Sequence, residues 1–159
     1  MTDWLRRAGG GLLPDGAGVV WSVAGGDRGR RWRWTVTRDG HLESVGLIEL
    51  RPSGALARLE LAAPGVLVTF HPEPDEWMAH GNVVTGEGVE PIAIDWQPGW
   101  TVAIAGDPFG SAVAGWRGRG VVVGPNGITP DSDPAPTASP VDGRGVPILG
   151  VAEEWPLED

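Results

Sequence analysis

The residues from His71 to His80 offer a dense set of candidate metal ligands. His71, Glu73, Asp75, Glu76 and His80 place five imidazole or carboxylate groups within ten residues, a composition that suits a hard or borderline metal ion. The spacing lacks the H-x-H and H-E-x-x-H patterns of common sites. If residues 72–76 form the loop of a hairpin, His71 lies beside Trp77 on one face of the sheet and His80 lies beside Val68 on the other, more apolar face. We therefore expect a solvated acidic turn with no bound metal.

Arginine and tryptophan alternate over Arg31–Trp34, a pattern that could stack bases or contact phosphates. A strand alternates its faces, so the same pattern arises when tryptophans are buried and arginines face solvent. Nucleic-acid-binding domains are usually basic, whereas this chain has a formal net charge of −9. We expect a structural role for this strand and no nucleic-acid partner.

The composition excludes several kinds of catalysis. The 159 residues include no lysine, cysteine or tyrosine, so lysine Schiff bases, thiolate nucleophiles and phenolic acids are excluded, and no G-x-S-x-G motif supports a serine hydrolase. No apolar run approaches the ~20 residues of a membrane helix, and the first residues do not resemble a signal peptide. We expect a cytoplasmic protein that inserts into no membrane and needs no cofactor, and we favour a protein that is not an enzyme.

The positions of the turn residues predict an all-β fold. Short runs rich in Val, Ile, Leu, Thr and Trp recur between turn signals, as in antiparallel domains. We expect one domain over residues 1–159, either an antiparallel up-and-down β-barrel or a rolled sheet of about ten short strands, with a two-sheet β-sandwich as the alternative. A helical turn is expected at 3–8, an extended proline- and glycine-rich loop at 124–147 and a final strand at 146–151. The expected strands cover residues 19–23, 30–38, 41–50, 55–61, 66–71, 77–85, 89–96, 100–106, 111–116, 121–123 and 146–151.

The first of two hairpins turns at Asp39-Gly40, a strong signal for a two-residue loop. A one-residue slip would send every side chain to a different partner, so the loop length fixes the register. The pairs expected from a regular hairpin are Arg30 with Glu49, Trp32 with Leu47, Trp34 with Val45 and Arg38 with His41.

The second hairpin is expected around Gln97-Pro98-Gly99. A three-residue loop with Gly99 in the left-handed conformation aligns apolar residues across the strands, whereas a two-residue loop would mismatch them. The expected pairs are Trp96 with Trp100, Ile94 with Val102 and Ile92 with Ile104.

The nine tryptophans suggest a ligand-binding interior. Each indole buries on the order of 200 Å² and usually needs a hydrogen-bond partner, so the set either fills the core or lines a cavity. We expect non-catalytic binding of an apolar or amphipathic small molecule, with tryptophans as the lining, a buried histidine and asparagine as polar contacts, and an arginine for an anionic head. A protein-interaction module or a homo-oligomer is the alternative. The candidate residues are Trp32, Trp34, Trp96, Trp100, His80, Asn82, Arg30 and Arg38.

In expected architecture the chain resembles bacterial ligand-holding β-barrels such as lipocalins and nitrobindin-like proteins. Gly18-Val19-Val20-Trp21 reads G-x-x-W where lipocalins have G-x-W, and no late histidine is present to bind haem. The stretch from Glu76-Trp77 to Phe109, which starts with the pattern Trp-x-x-His-Gly, resembles bacterial proteins named for glycolipid binding. That resemblance implies a lipid- or glycolipid-like ligand, and it assigns the chain to no family.

Overall fold

A computed structural model describes residues 5–73, 75, 77–125, 127–130 and 138–155. Glu76 lies outside the described residues, as do residues 126 and 131–137 of the loop expected at 124–147 and the first two residues of the helical turn expected at 3–8. The remainder of that turn belongs to a strand. Residues 127–130 of the expected loop form a strand, so that part of the prediction is wrong. In chain order the elements are β1 (Leu5–Leu12), β2 (Gly18–Gly26), β3 (Gly29–Arg38), β4 (His41–Leu50), β5 (Leu56–Ala63), β6 (Val66–Glu73), β7 (Met78–Thr85), β8 (Gly88–Asp95), β9 (Thr101–Ile104), α1 (Pro108–Val113), β10 (Gly120–Gly124), β11 (Gly127–Pro130) and β12 (Glu153–Trp155).

Nine of these strands form one antiparallel sheet in the order β12-β1-β2-β3-β4-β5-β6-β7-β8. The all-β prediction is confirmed, and the arrangement is that of a rolled sheet. Within the described residues, strands β12 and β8 end the sheet on opposite sides and do not pair with each other, so the sheet is not a closed barrel. After β8 the chain forms the second, smaller sheet, and it returns to the large sheet as β12, which pairs with β1 at the opposite edge.

A small second sheet, in the order β11-β10-β9, contains a parallel pair. Strands β9 and β10 run side by side, with Val121 opposite Val102, and α1 forms the crossover between them. Both strands are buried along their whole length, as is typical of parallel pairs. The expected hairpin that pairs Trp96 with Trp100 is therefore wrong, because β8 pairs with β7 and β9 pairs with β10.

The helix α1 replaces the strand expected over residues 111–116. Asp107 caps the helix by accepting a 2.9 Å hydrogen bond from the Gly110 backbone N–H, and Pro108 follows at the first helical position. An Asp cap with proline directly after it is a favourable helix start, because proline has no N–H to leave unpaired and its φ already suits a helix.

The Asp39-Gly40 turn forms as expected, and both residues have positive φ. Arg38 pairs with His41, but a bulge in β4 then shifts the register between Val36 and Thr37. Trp34 consequently lies opposite Gly46 rather than Val45, and Trp32 lies opposite Ile48 rather than Leu47. The extra residue places a glycine where the large Trp34 ring needs space.

The C-terminal strand is β12, not the strand expected at 146–151. Val146 and Leu149 are buried in the core, and Pro147 forms one isolated bridge. Strand β12 pairs with β1, where the largely buried Arg7 guanidinium donates two hydrogen bonds, of 2.7 and 2.8 Å, to the Glu154 carboxylate. Hydrogen bonding from Arg7 is the main reason that the pKa of Glu154 is lowered.

Candidate functional site

Phe109 of α1 lies among three tryptophans of the large sheet. Its ring centroid is 6.5 Å from that of Trp21, 6.1 Å from Trp32 and 5.8 Å from Trp34, distances that favour aromatic contact. Trp32 and Trp34 are each 1% exposed and Phe109 is fully buried. In this part of the roll the tryptophans expected to line a cavity pack against a ring supplied by the helix.

Two glycines make room for the Trp34 indole. A Cβ atom added at Gly46, the cross-strand neighbour, would overlap the indole ring, and one added at Gly110 of α1 would lie 2.6 Å from it. Real Cβ atoms do not approach other atoms so closely. The ring therefore fits between the sheet and the helix only because both positions lack a side chain.

The Trp34 indole also holds the start of α1. Its Nε1–H donates a 2.7 Å hydrogen bond to Oδ2 of Asp107, while Oδ1 of the same carboxylate accepts from Gly110 N. Burial raises the pKa of the Asp107 carboxyl, and the hydrogen bonds from Gly110 and Trp34 oppose that rise only in part. Asp107 thus links the tryptophan cluster to the helix.

Trp96 and Trp100 lie in another part of the core. Trp96 packs edge-on against Phe70 at 5.5 Å and against Trp100 at 5.9 Å. The two tryptophans are neighbours, as expected, but a turn closed by the Trp100 N–H to Gln97 O hydrogen bond brings them together. Trp96 is buried, and Trp100 is only partly covered.

A pocket of about 700 Å³ opens beside the exposed side of Trp100. One wall is β8, the last strand of the large sheet within the described residues, and the other comes from β10, β11 and the loop before β10. We call this pocket the Trp100 cleft. Its apolar lining residues are Met78, Ala93, Ile94, Trp100, Val121 and Ile128, and its charged residues are Asp95 and Arg119.

His80 and Asn82 lie on the outward face of β7, not on the apolar face where the expected register placed them. His80 is directly opposite His71, with ring centroids 6.1 Å apart, and Asn82 is opposite Thr69. The prediction that the two histidines diverge is wrong, because the β6–β7 loop begins later than expected. Within the described residues, no three His, Asp or Glu side chains are arranged to hold a metal ion.

The two candidate arginines have different surroundings. Arg38 forms ion pairs with Asp15 at 2.8 Å and with Glu43 at 3.2 Å. The hydrogen bond that Arg38 donates to Asp15 is the main reason that the pKa of Asp15 is lowered. Arg30 donates a 3.5 Å hydrogen bond to the Arg144 carbonyl and has no ion-pair partner among the described residues. Of the two, Arg30 is therefore the better placed to bind an external anion.

Sequence reasoning missed Phe109, Asp107 and the walls of the Trp100 cleft. A sequence signal existed for the first two, since Asp107-Pro108 is a helix-start pair. For the cleft no local signal exists, because its walls come from strands far apart in the chain.

No protein-family model, curated protein or solved structure matches this chain significantly. No helix in the described part of the chain is both long enough and apolar enough to cross a membrane.

Proposed function

We propose that this protein binds an amphipathic small molecule, of lipid- or glycolipid-like character, in the Trp100 cleft, and that it does so without catalysis. The observation that carries the proposal is the cleft itself. Its volume of about 700 Å³ falls within the range of roughly 300–1,000 Å³ that is typical of small-molecule sites.

The chemistry of the cleft suits a ligand with an apolar body and a polar end. Most of the lining comes from aliphatic side chains and the Trp100 ring, while Asp95 and Arg119 supply opposite charges. Neither charged residue has an ion-pair partner among the described residues. A few polar groups in a largely apolar pocket orient a ligand, whereas the apolar wall contributes most of the binding energy.

The interior tryptophans support this location indirectly. Phe109 occupies the space between Trp21, Trp32 and Trp34, so a ligand there would first have to displace the helix. Trp100 is partly uncovered and faces the cleft. The proposal therefore keeps the ligand class expected from the sequence but moves its site from the barrel interior to the cleft.

A fluorescence titration tests this proposal. Dansyl-undecanoic acid is an amphipathic probe whose emission rises when it enters an apolar site and receives energy from tryptophan. We expect saturable one-to-one binding, and we expect Trp100→Ala to weaken it about tenfold or more, because much of the apolar wall is lost.

Trp77→Ala is the matched control. Trp77 is 58% exposed and does not line the cleft, so this variant removes one tryptophan and should leave the dissociation constant unchanged. An absence of saturable binding, or equal weakening by both variants, would contradict the proposal.

A homo-oligomer is the second candidate, and one observation favours it. Strand β8 ends the large sheet without a further pairing strand among the described residues, and Val89 on it is 63% exposed. An unpaired edge can add a strand from a second copy, although Pro91 and the acidic residues of β8 oppose such pairing. Sedimentation equilibrium distinguishes the candidates, since an oligomer that is lost in a Val89→Lys variant would favour assembly. The cytoplasmic location expected from the sequence stays a prediction.

A further inference from the structure

We infer that a second site, at the opposite end of strand β3 from the Asp39-Gly40 turn, binds a phosphate-bearing small molecule. The inference is independent of the Trp100 cleft. The site lies where the β2–β3 turn, the β4–β5 connection and the loop before β12 come together. We call it the arginine end and define it by Arg28, Arg30, Arg51 and Arg144.

These residues line two overlapping recesses of about 860 and 840 Å³ that share Arg30, Arg51 and the glycines of the β2–β3 turn. Arg28 lines the first recess, and Arg144 lines the second. A ligand in this region would therefore meet guanidinium groups from three separate segments of the chain.

Gly29 allows the first two segments to approach each other. Its φ is +107°, and a Cβ atom at this position would overlap the Leu50 carbonyl oxygen. Only glycine combines this left-handed φ with so close a backbone approach. The β2–β3 turn consequently lies against the start of the β4–β5 connection, and Arg28 and Arg51 line the same recess.

The third segment is held by Asp142. Its side chain accepts hydrogen bonds from Val146 N at 3.0 Å and from Arg144 N at 2.8 Å, and these bonds, chiefly the one from Val146, lower the pKa of its carboxyl. The Arg144 carbonyl in turn accepts the bond from Arg30. The ordered turn therefore fixes the position of Arg144 relative to Arg30.

The charge at the arginine end is unbalanced. Arg31 is paired with Glu49 at 2.9 Å, and Arg144 lies 3.6 Å from Glu154. By contrast, Arg28, Arg30 and Arg51 have no ion-pair partner among the described residues, and Asp27 is the one unpaired acid in the lining. The lining therefore holds three arginines without an ion-pair partner among the described residues but only one such acid, in a protein whose overall net charge is −9.

A phosphate group fits this arrangement best. Planar guanidinium groups donate paired hydrogen bonds to phosphate oxygens, and a dianion can satisfy several arginines at once. The phosphate could belong to a soluble metabolite or to a lipid headgroup. The two recesses, of about 860 and 840 Å³, have the size of small-molecule sites, and a net charge of −9 repels an extended anionic membrane more strongly than one small anion. We therefore commit to a soluble phosphorylated molecule.

Calorimetric titration of the full chain with inorganic pyrophosphate at low salt tests the inference. We expect one saturable site, with Arg28→Gln and Arg51→Gln each weakening binding about tenfold, as the loss of a charged hydrogen bond would. Arg33→Gln is the matched control, because Arg33 is also exposed on β3 and unpaired among the described residues but does not line either recess. It should change the dissociation constant less than twofold.

Three results would overturn the inference. The first is an absence of saturable pyrophosphate binding by the folded wild-type chain. The second is equal weakening by Arg33→Gln and Arg51→Gln, which would show that only the overall charge matters. The third is co-sedimentation with vesicles of phosphatidylcholine and phosphatidic acid by a protein that does not bind pyrophosphate, which would assign the arginines to a lipid surface.

Discussion

The indole Nε1 of Trp34 donates a 2.7 Å hydrogen bond to Oδ2 of Asp107 across the buried junction between β3 and α1. Seventy-three residues separate the two in the chain. The bond satisfies the polar atom of a tryptophan that is 1% exposed, and it attaches the helix to the large sheet. It therefore links the tryptophan-rich interior to the helix that packs against it.

Removing the Asp107 carboxylate should destabilise the folded protein. Asp107→Ala leaves the Trp34 N–H and the Gly110 N–H without their acceptor and removes the helix cap, so we expect the free energy of unfolding to fall by about 2–4 kcal/mol. The asparagine of Asp107→Asn still supplies one acceptor oxygen, so this variant should lower the free energy of unfolding by less. Urea denaturation measures both losses, with the exposed Glu90→Ala as a surface control. Equally small decreases in the free energy of unfolding for Asp107→Ala and Glu90→Ala would show that the bond between Trp34 and Asp107 does not hold the helix.

The raised pKa of Asp107 predicts a pH dependence of definite sign. The folded protein binds this proton more tightly than the unfolded chain, whose carboxyl has the ordinary pKa of 3.8. The contribution of Asp107 to stability is therefore greatest below that value and falls as the pH rises through the folded-state pKa. Groups with lowered pKa values, such as Asp15 and Glu154, have the opposite effect, because their contribution to stability is lost as the pH falls.

The difference between wild type and Asp107→Asn isolates this group, because both proteins keep the other titrating residues. We expect the stability of the wild type relative to the variant to decrease as the pH rises from about 4. Unfolding measured by urea at a series of pH values gives this difference. A difference that stays constant or increases with pH would contradict the assignment.

Phe109 should be the most sensitive apolar residue of α1. Phe109→Ala removes a fully buried ring and leaves a cavity among three tryptophans, so we expect a loss of about 3–5 kcal/mol. The leucine of Phe109→Leu fills part of that cavity, so this variant should lower the free energy of unfolding by less. Thermal and urea unfolding measure these losses, and a stable Phe109→Ala protein with unchanged tryptophan emission would show that the ring does not fill the interior.

The space around the Trp34 ring predicts contrasting effects of two glycine substitutions. Gly46→Ala puts a methyl group into the indole, and we expect overpacking to cost about 1–3 kcal/mol. Gly86→Ala is the control, because its added Cβ would meet no atom within 4 Å and its φ is not positive. Equal unfolding midpoints for the two variants would contradict this packing.

Strand alternation made part of the fold predictable from sequence. It places Trp32 and Trp34 on the same inward face and predicts an all-β chain, and the structure confirms both. It could not reveal the bulge near Glu43, because one extra residue leaves no compositional trace. A regular hairpin consequently predicts Val45 opposite Trp34, whereas Gly46 lies there in the structure.

The long-range features were beyond sequence reasoning for a different reason. Strands β9 and β10 are short apolar runs, and such runs do not reveal whether their partners are parallel or antiparallel. The pairing of β9 with β10 leaves Trp100 at the mouth of a cleft instead of inside a hairpin. The candidate site therefore depends on contacts between elements that are distant in sequence.

The most direct test of ligand binding at the Trp100 cleft is a proton–nitrogen NMR titration of the tryptophan indoles with dansyl-undecanoic acid. Each of the nine tryptophans contributes one indole N–H signal, and single Trp→Phe variants assign them. We predict a saturable shift of the Trp100 signal, a smaller shift of its neighbour Trp96, and unchanged signals for Trp32 and Trp34. Saturable shifts of Trp32 and Trp34 with an unchanged Trp100 signal would place the ligand in the interior and contradict binding at the cleft.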